Sequence, residues 1–288
     1  MDAKQSTGLT LAAMVLVAVA APSALAMESD TFAGDTDEAG TVVSVRVEDK
    51  DPADGVCTGT AIGEHWVITA RHCVEAAKKL GGSVRTGQGE EQKVYDVDRW
   101  EIAPRGDIAL AHTVQPMQLK HFAEVSDTVP SGDVHLYGWS SDGSGGSTTL
   151  PSADGKVEGE SPLALFEAPS ALQVTLQNGA RIQPGDSGGA IFEGGKVAAI
   201  MSAGLFEDPD NPKEEELTSN GAVAVAPVAD QVEWIRETIA QAEANPADTM
   251  RQNGDNGLWW KVAAGAGVLV LLAALAMAAA RYRKAPLD

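Results

Sequence analysis

The chain has 288 residues, 44% of them hydrophobic and 5% aromatic, and a formal charge of −20 at pH 7. Val, Ile, Ala and Leu supply a core for one large domain or two small ones sharing a cleft, and the acidic excess excludes nucleic acid as a partner, since phosphates must be neutralised by cations. Only two cysteines occur, and no Cys/His spacing of a metal centre is present, so no metal or other cofactor is expected.

The first element is an apolar run from Leu9 to Ala21, with Lys4 before it and Pro22 and Ala24-Leu25-Ala26 behind it. It is short for a membrane span, and its small-x-small tail predicts a signal peptide over residues 1–26, cut after Ala26. Short period-two runs follow at Thr41 to Val47, Val56 to Ile62, Trp66 to Ala70, Ile108 to His112, Val134 to Gly138, Leu172 to Leu176, Gly189 to Phe192, Val197 to Ser202 and Ala222 to Ala226. Gly, Asp, Ser and Pro punctuate them at intervals expected of an all-β barrel or sandwich, and they divide into halves near Thr128 to Gly132. Ser140 to Ser147 reads as a Gly/Ser loop and Glu207 to Glu216 as an acidic loop with two prolines.

Val228, Val232, Ile235 and Ile239 recur at four, three and four residues, one apolar face that predicts a helix over 228–243. Residues 245–257 read as a polar linker. Val262 to Ala280 carries no charge, with Trp259 and Trp260 in front and Arg281, Tyr282, Arg283 and Lys284 behind. This predicts a transmembrane helix over 258–280 and a cytoplasmic tail over 281–288, leaving residues 27–244 outside the membrane. Between Met27 and Gly257 there are 16 basic and 39 acidic residues, a charge of −23 that serves solubility and repulsion from acidic envelope surfaces. In an exported chain Cys57 and Cys73 are expected to form one disulfide, stabilising by about 3 kcal/mol through loop closure.

Gly185-Asp186-Ser187-Gly188-Gly189 is the sequence's sharpest chemical signal. Its glycines allow a tight turn in which amide N–H groups converge beside a hydroxyl, where an oxyanion would sit. A serine hydroxyl is a poor nucleophile at neutral pH and needs an imidazole base held by a buried carboxylate. Of His65, His72, His112, His121 and His135, His72 follows a predicted strand and adjoins Cys73. Asp107 opens an apolar run where a carboxylate can be buried, although Asp96 and Asp98 answer the same description.

These residues are similar to the motifs of the chymotrypsin-like, trypsin-fold serine peptidases. Thr69-Ala70-Arg71-His72-Cys73, Asp107-Ile108-Ala109-Leu110 and Gly185-Asp186-Ser187-Gly188-Gly189 stand in that family's order. Cys57-Thr58-Gly59-Thr60-Ala61-Ile62 resembles the strand before its histidine, Gly138-Trp139 the start of its second barrel and Ser202-Ala203-Gly204 its substrate-binding strand. The resemblance runs from about Phe32 to Ala242. It implies two packed antiparallel β-barrels, about 32–128 and 129–227, and a membrane-anchored endopeptidase acting on proteins or peptides. It further implies a triad of His72, Asp107 and Ser187, an oxyanion hole at the N–H groups of Gly185 and Ser187, substrate contacts at Ser202 and Gly204, and support of Asp107 by Ser202.

Two departures matter. Digestive relatives are activated by cleavage after Lys or Arg, which frees an amine for the aspartate before the nucleophile; Phe32-Ala33-Gly34-Asp35 occupies that place, and no Lys or Arg lies between Met27 and Val45. Asp186 therefore needs a cleavage after Thr31 by another protease, or a different partner. Arg181 holds the position that lines the specificity pocket in the family, so it would select acidic P1 side chains, or else point away or neutralise local carboxylates, while the acidic loop would favour basic ones. A catalytically silent surface binding protein and an envelope quality-control protease are the alternatives, although no room is left after Ala242 for the peptide-binding domain usual in the latter.

Overall fold

Alternate side chains of a β-strand point to opposite faces, so a strand whose two faces are both buried reads as a continuous apolar run. Trp66-Val67-Ile68 and Ile108-Ala109-Leu110-Ala111 are such runs, and every residue in them is buried. In a computed structural model describing residues 27–47, 56–75, 81–87, 92–139 and 150–244, they run through the wall of a closed barrel. The predicted signal peptide, Gly/Ser loop, linker, transmembrane helix and tail lie outside the described residues. Among the described residues no helix is long and apolar enough to cross a membrane.

The first barrel comprises β1 (Val42–Val47), β2 (Val56–Gly63), β3 (Trp66–Thr69), β4 (Gly82–Thr86), β5 (Lys93–Ile102) and β6 (Ala109–Thr113), in the closed order β1-β2-β3-β6-β5-β4. The second comprises β7 (Asp133–Tyr137), β8 (Ser152–Glu160), β9 (Leu172–Leu176), β10 (Ala190–Glu193), β11 (Lys196–Gly204) and β12 (Ala222–Pro227), closed in the order β10-β11-β12-β9-β8-β7. All pairings are antiparallel. Two short helices, α1 (Asp37–Thr41) and α2 (Arg71–Val74), precede β1 and follow β3. The predicted late helix begins as a 3-10 turn, Val228–Gln231, and continues as α3 (Val232–Ala244).

Nine strands coincide with the predicted runs, while β4, β5 and β8 lie where none was predicted. The sequence of β8, SADGKVEGE, carries only Ala153 and Val157 as apolar side chains. Its Gly155 has no room for more, because a Cβ there would come 2.8 Å from Val174 Cγ1. Gly138-Trp139, expected to open the second barrel, instead follows the end of β7.

Three cores result. Val43, Val45, Val67, Tyr95 and Ala111 fill the first barrel, and Leu136, Val174, Ile191, Met201 and Val223 fill the second. The third core lies between the barrels and under α3, where Ile68, Leu110, Trp139, Phe192, Ile200 and Ile235 meet. Neighbours in sequence thus serve different cores: Val67 faces into its barrel while Ile68 faces the seam. The expected disulfide is formed between Cys57 on β2 and Cys73 on α2, with the Cα atoms 6.4 Å apart. Replacing both cysteines by serine is expected to lower unfolding free energy by roughly 3 kcal/mol, read as a drop in the urea midpoint.

Candidate active site

His72 sits in α2, immediately after β3, and two bonds to one carboxylate fix it. Its backbone N–H donates to Asp107 Oδ1 at 2.8 Å, and its ring Nδ1 lies 2.7 Å from Asp107 Oδ2. Donation from Nδ1 leaves Nε2 as the free, basic nitrogen. Three other histidines also pair with an aspartate: His112 with Asp98, His121 with Asp37 and His135 with Asp154. Burial separates them, because the Asp107 side chain is 0% exposed whereas those of Asp98, Asp37 and Asp154 are 33%, 79% and 63% exposed. A carboxylate shielded from water orients and stabilises an imidazolium far better than a solvated one. Asp98 is committed to His112 at 2.7 Å, and Asp96 is exposed.

Ser187 arrives from the second barrel on the loop before β10. Thr58 of β2 ties that loop to the first barrel: its N–H donates to Ser187 O and its Oγ1 to Gly185 O, both at 2.8 Å. Held by their carbonyls, Gly185 and Ser187 have N–H groups that no other described residue engages, the arrangement an oxyanion hole requires. Gly188 has φ +84°, and a Cβ there would come 2.5 Å from Thr58 O, so the loop approaches β2 and β3 as closely as backbone allows. Sγ of Cys73 lies 3.8 Å from both His72 Nε2 and Ser187 O, which puts the free imidazole nitrogen on the serine side. The disulfide leaves these sulfurs without thiolate character, so Cys57, His72 and Cys73 are not a metal-ligand set despite their proximity. Thr58 belongs to the stretch that resembles the family's strand before the histidine, but nothing in the sequence shows that it ties the serine loop to that strand.

Asp186 is fully buried beneath this loop. Oδ2 accepts from Gln183 N at 2.8 Å, and Oδ1 accepts from the backbone nitrogen of Met27 at 3.2 Å. Burial pushes its pKa from 3.8 up to about 7, against the pull of those two N–H donors. Of the two alternatives, an amine at Phe32 or a different partner, the structure has the second, five residues upstream of Phe32. Phe32 is 51% exposed and pairs with Pro151, while Met27 is 3% exposed in the second barrel's core.

The trypsin family model matches residues 32–235. The chain belongs to the trypsin family. Two peptidases so named in strains of Corynebacterium glutamicum are each 28% identical over 242 residues, 79% of this chain and 77% of each relative. Among solved structures, mouse neuropsin has a TM-score of 0.53 at 20% identity, covering 70% of this chain and 95% of neuropsin. An inactivated protease paralogue of the scabies mite has a TM-score of 0.53 at 19% identity, covering 71% and 96%. These two structures show the fold alone. Family membership makes the chain a serine endopeptidase, a hydrolase whose substrates are proteins or peptides.

Beside Ser187 this trypsin-family chain has a pocket of about 170 Å³, lined by Ile182, Met201, Ser202, Gly204, Asn220 and Val223 among others. Among the described residues no charged side chain lines it. Arg181 does not: its Nε donates to Ser219 Oγ at 2.8 Å and its Nη2 to Ser219 O at 2.6 Å. In the acidic loop only Glu216 turns inward, its carboxylate accepting from the N–H groups of Glu207 (2.8 Å) and Lys213 (2.9 Å), while Glu207, Asp208, Asp210, Glu214 and Glu215 stay exposed. These bonds hold Glu216 below the usual carboxylate range. Asn220 spends both amide protons on Leu205 O and Glu216 O and packs its carbonyl end against Gly204. Ser202 and Gly204 line the pocket, and Ser202 makes no hydrogen bond to Asp107 among the described residues.

The Asp186 shift has a definite sign. A carboxyl whose folded pKa is raised contributes stability below its unfolded pKa and loses it as pH rises through the folded one. With Met27 bonded through an amide, stability is expected to fall between pH about 4 and about 7, and Asp186→Asn to remove that part of the slope, measured by urea midpoints across pH.

Proposed function

We propose that the chain is an exported, membrane-anchored serine endopeptidase that cleaves through an acyl-enzyme, with Ser187 as nucleophile, His72 as general base and acid, and Asp107 as the group orienting His72. The observation that carries it is the double bond from His72 to a fully buried Asp107, 2.8 Å and 2.7 Å, next to a glycine-bounded serine. Ser187 Oγ attacks the peptide carbonyl while Nε2 takes its proton. The N–H groups of Gly185 and Ser187 receive the oxyanion, Nε2 returns the proton to the leaving amine, and water then releases the acyl group by the same route. Every component is a side chain or backbone group of this chain.

Residues 1–26 direct export and are removed, and 258–280 hold the peptidase domain on the outer side of the membrane. Oxidised Cys57 and Cys73 agree with that compartment. A fluorophosphonate is expected to label the wild-type chain at Ser187 in the membrane fraction, and deletion of 258–288 to move the labelled enzyme to the soluble fraction. Ser187→Ala abolishes labelling at retained fold, and Asp107→Asn lowers kcat by about 10⁴-fold. Labelling that survives Ser187→Ala rejects the assignment, and a deleted chain that stays in the membrane rejects the anchor.

The uncharged pocket supports cleavage after uncharged residues. An ammonium, guanidinium or carboxylate at P1 would be desolvated without an opposite charge, which costs several kcal/mol. In a P1-randomised peptide library, uncharged residues are expected to dominate and Asn220→Gly to admit longer ones; a dominant Lys, Arg, Asp or Glu contradicts this reading of the pocket.

A further inference from the structure

Ser202 was expected to support Asp107 and makes no hydrogen bond to it among the described residues, yet the loop from Ala103 to Asp107 is bonded to the second barrel elsewhere. Gly106 N–H donates to Phe166 O at 2.8 Å, one residue before Asp107. Phe166 lies in a 3-10 turn, Leu165–Glu167, between β8 and β9, and its backbone is left-handed at φ 52° and ψ 41°. Glu167 follows at φ 54°. Two successive side-chain-bearing residues in this region store strain, which persists only where the surroundings hold it.

What holds it is Arg71, the residue before His72. Its Cζ lies 4.3 Å from the centroid of the Phe166 ring, a cation–π contact across the barrel seam. Its Nη1 donates to Ala103 O at 3.3 Å, and its Nη2 pairs with Glu75 Oε1 at 2.6 Å. We infer that Arg71 and Phe166 form a clamp that fixes the Asp107 loop against the second barrel, which makes both of them positioning residues for the His72–Asp107 pair. The inference rests on the peptidase reading above.

The contacts close a ring: from Arg71 to Ala103, along the chain to Gly106, across to Phe166 O, and from the Phe166 ring back to Arg71. A guanidinium suits this place, because its flat face covers the ring while its in-plane N–H groups reach a carbonyl and a carboxylate, which an ammonium cannot do together. The turn cannot swing away to relieve its strain. Ser161 N–H donates to Ala171 O at 2.9 Å across its base, and Ser170 Oγ donates to Asp230 Oδ2 at 2.6 Å, ahead of α3. Asp107 takes both of its bonds from His72, so a shift of its loop disturbs both at once, and small misplacements of reacting groups cost large factors in rate.

Full-length chains carrying Arg71→Met, Arg71→Lys, Phe166→Leu, Phe166→Tyr, Glu75→Gln and the double change Arg71→Met with Phe166→Leu test this. Fluorophosphonate labelling at Ser187 is read as a limiting rate and a half-saturating concentration, with circular dichroism as the check on folding. Arg71→Met, Arg71→Lys and Phe166→Leu are each expected to lower the limiting rate about tenfold at unchanged half-saturation, and the double change to add no more than about threefold to the slower single. Phe166→Tyr, which keeps the ring face, and Glu75→Gln, which leaves the ring of contacts closed, label at the native rate. A second readout needs no chemistry at Ser187: with ¹⁵N-labelled histidine, the resonance of the His72 Nδ1 proton is expected to move or broaden in Arg71→Met and to stay in place in Glu75→Gln. Single variants at the native rate, a double change that multiplies the two single effects, a loss confined to half-saturation, or an unmoved His72 proton in Arg71→Met overturns the inference and leaves the peptidase reading intact. Absence of labelling in the folded native chain overturns the peptidase reading and this inference with it.

Discussion

A carboxylate with no exposure to solvent sits directly before Ser187, the proposed nucleophile, and the arrangement around it follows from the need to satisfy its two oxygens. An unpaired charge in such a place is expensive, so the chain must deliver donors to it from both sides. Gln183 comes from the nucleophile loop and sets where that loop turns, while Met27 comes from the far end of the domain and pins the leading segment along the second barrel. Gly138 makes room for Asp186 Oδ1 and Met27. Asp186 therefore joins the start of the domain to the geometry of Gly185 and Ser187, although it touches no substrate.

The second requirement is to hold parts from two barrels in register. His72 and Asp107 belong to the first and Ser187 to the second, and the seam between them is an apolar core in which neither barrel is self-sufficient. Thr58 converts that general contact into a specific one, because its N–H and hydroxyl both hold carbonyls of the nucleophile loop. Its hydroxyl also accepts from Trp139 N at 3.3 Å, tying in the residue after β7, and Gly188 lets the loop come within backbone reach. The disulfide completes the frame, tying the strand that carries Thr58 to the helix that carries His72.

Much of this was legible in the sequence where chemistry and local pattern coincide. Strands buried on both faces advertise themselves as apolar runs; β8 does not, because glycine and charged residues fill it and its pairing comes from neighbours. His72 and Ser187 stand out by context, but choosing Asp107 over Asp98 needed a family resemblance, and the physical difference is burial alone: a register shift between Val97 and Arg99 puts Asp98 beside His112 at the barrel's outer side. Arg181 was legible as a position but not as a direction, since Ser219, distant in sequence, draws its guanidinium away from the pocket. For Asp186 the sequence left open an amine at Phe32 or a different partner, and the structure supplies the Met27 nitrogen, with the Glu28–Arg181 and Phe32–Pro151 pairings fixing how the leading segment runs.

The link between Cys57 and Cys73 has a further meaning on the proposed route of export. A reducing cytoplasm keeps both sulfurs as thiols, so the helix bearing His72 lacks its tether to β2 where the chain is made. On that route the oxidation that ties His72 to β2 waits until the chain is beyond the membrane, so the frame of the site is completed away from the cytoplasm.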